Sequence, residues 1–156
     1  MRKFSLIVAV SALQIATVSA EVVATQIIET ETTAISANGE RSTKRVVAEK
    51  VEPGETLFYT LNFRNQGGEA ADNMILVMDV PYEVVYVEGS IIAPTSEITF
   101  SADGGETYVA RGRLTVVEDG KQRAARGDDI THIRFSLADP IAPGAAGKVS
   151  FRAILQ

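Results

Sequence analysis

The chain has 156 residues, 15 Lys plus Arg against 20 Asp plus Glu, a formal net charge of −5, one histidine and no cysteine. Its length suits one domain behind a leader, and an acidic balance with no basic cluster speaks against nucleic acid, whose phosphates demand concentrated Lys and Arg. Without cysteine there are no disulfides, thiolate metal sites, cysteine nucleophiles or lipid-bearing N-terminal cysteine.

The first residues, "MRKFSLIVAVSALQIATVSA", join a positive start, Arg2 and Lys3, to an apolar run from Phe4 to Val18 and a close on Val18-Ser19-Ala20. This is the layout of a secretory signal peptide, with cleavage expected between Ala20 and Glu21. An uncleaved anchor fits less well. Ser5, Ser11, Gln14 and Thr17 interrupt the run, which is shorter than the roughly 20 apolar residues of a membrane helix. Processing would leave 136 residues with 13 Lys plus Arg against 20 Asp plus Glu, a net of −7, and no later stretch that could span a bilayer. The expected location is the periplasm or the extracellular cell surface.

The next segment, Glu21 to Ala34, is β-prone, with Val22, Ala24, Gln26 and Ile28 alternating against Val23, Thr25 and Ile27. Its plain reading is a first strand of its own sheet, because sequential strands usually pair locally. The alternative is insertion into a neighbouring subunit's sheet edge, with Val22, Val23, Ile27 and Ile28 as the exchanging residues. Main-chain hydrogen bonds would then supply the affinity, and head-to-tail repetition would give a filament. Polar "SANGERSTKR", Ser36 to Arg45, reads as the hinge between that strand and a body spanning residues 46 to 156.

Within the body, Pro53-Gly54 precedes "LFYTLNFR", where Leu57, Tyr59, Leu61 and Phe63 share one face. "NMILVMDV", Asn73 to Val80, is apolar on both faces and predicts a central strand. Shorter strands are expected in "EVVYVEG", "EITFSAD" and "RGRLTVVED". In "ITHIRFSL", Thr131, Ile133, Phe135 and Leu137 face one way; in "VSFRAIL", after Pro143-Gly144, Val149, Phe151, Ala153 and Leu155 do the same. "NQGG", "ADGG" and "EDGK" supply residues that tolerate positive φ at hairpin turns. No segment reads as a helix. Strict alternation with turn punctuation predicts an all-β, antiparallel β-sandwich of about 7–9 strands.

The run "VEPGETLFYTLNFRNQGGEAADNMILVMDVP", followed by "VVYVEGS" and closed by "IAPGAAGKVSFRAIL", resembles the bacterial surface repeat family called domain of unknown function 11. The matching positions are Pro53, Gly54, Glu55, Thr56, Tyr59, Thr60, Asn65, Gly67, Asp79, Pro81, Val87, Gly89 and Ser90, with Pro143 and Gly144 before the last strand. The resemblance covers roughly residues 46 to 156, in a single copy. It implies an immunoglobulin-like sandwich in an exported or surface protein.

Candidate chemical sites are few. His132 is expected on the outward face with Arg134 and Ser136, a solvated bystander without converging ligands. No Gly-x-Ser-x-Gly elbow is present for nucleophilic catalysis. The acid pairs Asp128-Asp129, Asp103 with Glu106, and Glu118-Asp119 lack the alternating spacing of a calcium loop. Arg126-Gly127-Asp128 spells a tripeptide that some adhesins present to receptors, but Gly-Asp is also ordinary turn chemistry. A Lys-Asn cross-link has Lys44, Lys50, Asn62 and Asn65 as candidates by type alone. The expectation is therefore no cofactor, no metal and no enzyme. The expected role is a secreted structural protein of the bacterial cell surface, partnered by itself through its N-terminal strand or by another surface protein. The alternative is a monomeric binding or adhesion module. Gln156 follows directly on the last predicted strand, so no C-terminal anchor is expected.

Overall fold

Ten strands fold into antiparallel sheets in a computed structural model that describes residues 19–156. Most of the expected leader, residues 1–18, lies outside them. The strands are β1 (Val22–Ile35), β2 (Arg41–Val47), β3 (Thr56–Asn65), β4 (Ile75–Asp79), β5 (Val84–Tyr86), β6 (Ser96–Ser101), β7 (Thr115–Glu118), β8 (Lys121–Ala124), β9 (His132–Leu137) and β10 (Ala146–Leu155). A five-stranded sheet, β2-β1-β3-β10-β5, packs against a three-stranded sheet, β4-β9-β6, and β7-β8 forms a separate hairpin. Among the described residues no helix is long and apolar enough to cross a membrane.

Alternation places the core as the sequence indicates. Inward Leu57, Tyr59 and Phe63 of β3 are buried, as are Val149, Phe151 and Ala153 of β10 and Ile133 and Phe135 of β9. Tyr59 stacks on Phe151 with ring centroids 4.8 Å apart, and Tyr86 bridges Phe151 to Phe100 of the opposite sheet. Each of the large apolar side chains among them contributes about 1.5–3 kcal/mol by leaving water.

The two Pro-Gly pairs do matching work at opposite ends of the β3–β10 ladder. In Glu52–Glu55 the Glu55 N–H donates to the Glu52 carbonyl at 3.1 Å, and in Ala142–Ala145 the Ala145 N–H donates to Ala142 at 3.0 Å. Proline fixes the second position of each turn, and glycine takes the positive φ required at the third, +93° at Gly54 and +76° at Gly144. Gly54 and Glu55 both bond Leu155, while Gly144 and Ala145 both bond Asn65. Two residues thus oppose one, with the first a glycine of positive φ, which is the G1 bulge arrangement. Asp119 and Gly120, both with positive φ, close the β7–β8 hairpin between the paired Glu118 and Lys121.

Three expectations are corrected. The apolar Asn73–Val80 run is not a central strand: β4 pairs with β9 alone and lies at the sheet edge, with Ile75 56% and Val77 43% exposed. Two apolar faces therefore do not imply burial on both. Ser36–Arg45 is not a linker, because Ser36–Glu40 forms a hairpin turn and Arg41–Val47 returns as β2 beside β1. No structural division falls at residues 45 and 46, since β2 runs across them. Finally, neither Gly67 nor Gly68 adopts positive φ; Gly67 serves a different purpose, described next.

Candidate functional site

At the Asn65–Gly68 loop the start of β1 is received by a buried polar side chain, Asn65. β1 pairs with β3 in antiparallel register from Val22↔Asn65 to Thr30↔Leu57. Val22 and Ile28 consequently point inward and are half-buried, while Val23 and Ile27, each 38% exposed, point outward. No side chain of β1 or β2 is buried. Five strands face only three, and the β1–β2 end of the larger sheet has no strand opposite it, so even inward Ala24 and Gln26 remain exposed.

Asn65 ends β3 and is completely buried. Its Nδ2 donates to the carbonyls of Glu69 at 2.6 Å and Ile141 at 2.8 Å. Its Oδ1 accepts from the N–H groups of Gly67 at 2.9 Å and Glu21 at 3.3 Å. Such full use of donors and acceptors is what a buried amide requires. The ladder continues past β1: the Gln66 N–H donates to the Glu21 carbonyl at 2.7 Å and the Gly68 N–H to the Ser19 carbonyl at 3.2 Å. A methyl group on Gly67 would stand 2.2 Å from the Ser19 carbonyl oxygen and 2.4 Å from the Glu21 nitrogen. Glycine is needed here for close backbone approach. The expected cleavage position, Ala20 and Glu21, is thus the stretch that this loop holds.

The other motif positions are architectural. Pro53, Gly54, Pro143 and Gly144 build the bulges. Pro81 begins a turn whose carbonyl accepts from the Val84 N–H at 3.1 Å. Buried Ser90 accepts the Arg152 N–H at 2.9 Å through its hydroxyl.

Asp79 ends β4 opposite His132 of β9, with Oδ1 3.2 Å from Nε2. The histidine is therefore not the solvated bystander expected: its side chain is 23% exposed, and Nδ1 lies 3.0 Å from Thr131 Oγ1. An Asp–His–Thr chain invites comparison with a hydrolytic triad. The Thr131 hydroxyl, however, already accepts the Gly104 N–H at 3.1 Å and donates to the Ser101 carbonyl at 3.3 Å. That commitment makes it part of the scaffold of the turn that follows β6.

The acid pairs are likewise tied into turns. Asp103 accepts from the Ser101 hydroxyl at 2.6 Å and from Thr107 through both its N–H and hydroxyl, and these bonds, Ser101 first, hold its carboxyl far below the usual carboxylate range. Asp129 and Glu118 are both lowered by bonding to the Arg123 guanidinium. Among the described residues no three His, Asp or Glu side chains gather as a metal site would require. In Arg126-Gly127-Asp128, Gly127 packs onto β5, where an added methyl would stand 2.3 Å from the Tyr86 carbonyl oxygen. Of the cross-link candidates, Lys44 pairs with Thr32 and Asn62 with Thr25. Those positions lie seven residues apart along β1, which at about 3.3 Å per residue is too far for bonding.

A shallow cavity of about 370 Å³ lies on the outer face of the larger sheet, lined by Glu31, Arg45, Phe58, Ser150 and Arg152 among others. The Arg45 guanidinium sits 3.8 Å above the Phe58 ring and its Nε lies 3.7 Å from Glu31. Comparison with known proteins adds no relative: no family model, curated protein or solved structure matches the chain.

Proposed function

We propose that this protein is a secreted, non-enzymatic structural subunit of the bacterial cell surface that self-associates by donating its N-terminal strand to the next copy. The observation that carries this reading is the way β1 is held. It forms nine registered pairs with β3 yet leaves no side chain buried. A strand whose core contacts are limited to half-buried Val22 and Ile28 can leave at a small cost in apolar burial, and another copy's identical strand restores every bond it leaves. β2 would travel with β1 as a hairpin, and Ala48–Pro53 would serve as the hinge. Such exchange is a low-cost route to association, and the ladder provides strand-addition affinity. The leader-like N-terminus and the resemblance to domain of unknown function 11 support export and a surface location.

Sedimentation over a range of concentrations, with negative-stain electron microscopy, tests the reading. Fibres, or mass that grows without a closed limit, support it. A monomer at every concentration overturns it and favours the second reading, a monomeric binding or adhesion module. The cavity over Phe58, with Arg45 and Arg152 at its walls, is the observation behind that alternative.

A further inference from the structure

We infer that the Asn65–Gly68 loop is a binding site for a strand's α-ammonium group, so that removal of the leader tightens the attachment of β1. This rests on the reading that the chain is processed after Ala20. Hydrolysis of the Ala20–Glu21 bond adds hydroxyl to the Ala20 carbonyl carbon and hydrogen to the Glu21 nitrogen. The freed amine takes a further proton from solvent at neutral pH, because an α-amino group titrates at about 7.7–8.0.

That nitrogen already stands 3.3 Å from Asn65 Oδ1. The acceptor is fixed in place, since the same side chain is fully buried and tied through Nδ2 to Glu69 and Ile141. Replacing a neutral amide donor by an ammonium converts this contact into a charge-assisted hydrogen bond, about twice as strong. Glu21 is exposed, so water can take the ammonium's other protons. The Glu21 carbonyl keeps its bond from the Gln66 N–H at 2.7 Å, while the bond from Gly68 to Ser19 is lost. The exchange therefore gives up one peripheral neutral bond and converts the Glu21–Asn65 bond at the first residue of the strand from neutral to charge-assisted. Gly67 enforces the register, because only bare backbone fits between it and Glu21. The same ligand chemistry has two sources: the chain's own terminus, or that of a neighbour that has donated β1.

Amide hydrogen exchange in Val22–Ile28 tests this on whole processed chains that differ only at the terminus. One begins at Glu21 with a free amine, one is the same chain α-acetylated, and one begins at Ser19, which moves the ammonium two residues upstream. The free-amine chain should exchange about fivefold more slowly than the acetylated chain, which also lacks Ser19, the effect of roughly 1 kcal/mol gained by charge assistance. Against the Ser19 chain, which keeps the Gly68–Ser19 bond, the slowing should be smaller. Equal rates in the free and acetylated chains would overturn the inference. So would a difference that persists unchanged in Gly67→Ala, where the added methyl displaces the Glu21 nitrogen. Slowing that increases with protein concentration assigns the ammonium to a neighbour's terminus; slowing independent of concentration assigns it to its own. Sequencing the N-terminus of the exported protein tests the processing reading separately: a start other than Glu21 would sink that reading while leaving the result on the defined chains intact.

Discussion

β1 and β10 flank the same strand, β3, and each meets it through nine registered pairs. Their backbones make equivalent ladders, yet their side chains differ sharply. β10 contributes Val149, Phe151 and Ala153, all at most 1% exposed, whereas β1 contributes nothing beyond half-buried Val22, Ile28, Glu29, Thr30 and Thr32. Hydrogen bonds exchanged against water are worth little net, while buried apolar area and tight packing are worth much. The difference separates a strand that defines the core from one that extends the sheet between β2 and β3 with little buried apolar area.

Phe151→Ala should give the largest effect, because it opens a cavity against Tyr59 and Tyr86. A loss of about 3–5 kcal/mol in urea-denaturation stability is expected. Gly67→Ala should come next, costing about 1–3 kcal/mol of local overpacking. It should appear as faster exchange of β1 amides, with the β10 amides unchanged. Comparable loosening of both strands would mean that β1 belongs to the same cooperative unit as the core. Ile28→Ala should cost roughly 1 kcal/mol, as half-burial implies, well below the Phe151 value on the same denaturation curve.

The smallest effect concerns acid. Asp103, Asp129 and Glu118 all hold their protons less readily when folded, through bonds to Ser101 and Thr107 in the first case and to Arg123 in the other two. Their contribution is complete above the unfolded carboxylate value of about 4 and is lost as pH falls below it. None of the three touches β1. Thermal midpoints measured from neutral pH down to acid should therefore drop below that value, less steeply in Asp103→Asn, with no change in the relative protection of β1 and β10.

The sequence made one side of this comparison plain. Period-two alternation identified the inward residues of β3, β9 and β10, and the Pro-Gly pairs marked where β3 and β10 begin. It also marked Val22–Ile35 as extended. Alternation reports side-chain chemistry, however, and not how many strands lie opposite. β1 shows apolar residues on both faces but meets an uncovered end of the sandwich, and apolar Asn73–Val80 ends at an edge for the same reason. The docking loop was visible only as a turn. Asn-x-Gly suggested positive φ at glycine, whereas the structure uses Gly67 for contact with residues 46 or more positions away and Asn65 as a buried amide hub. His132 was placed on its correct face by alternation, but its pairing with Asp79 depends on the register of β4 against β9, which no local pattern contains.

Whether β1 passes between copies can be read from two single-cysteine chains in this cysteine-free protein. Thr25 and Asn62 are register partners on the outer face. Thr25→Cys chains are mixed with Asn62→Cys chains, incubated to allow association and then oxidised. Strand exchange should give a hetero-disulfide joining the two variants, in excess over an off-register control such as Thr25→Cys with Ser96→Cys. A hetero-disulfide yield no higher than that control, under conditions where the protein associates, would contradict it and confine β1 to its own chain.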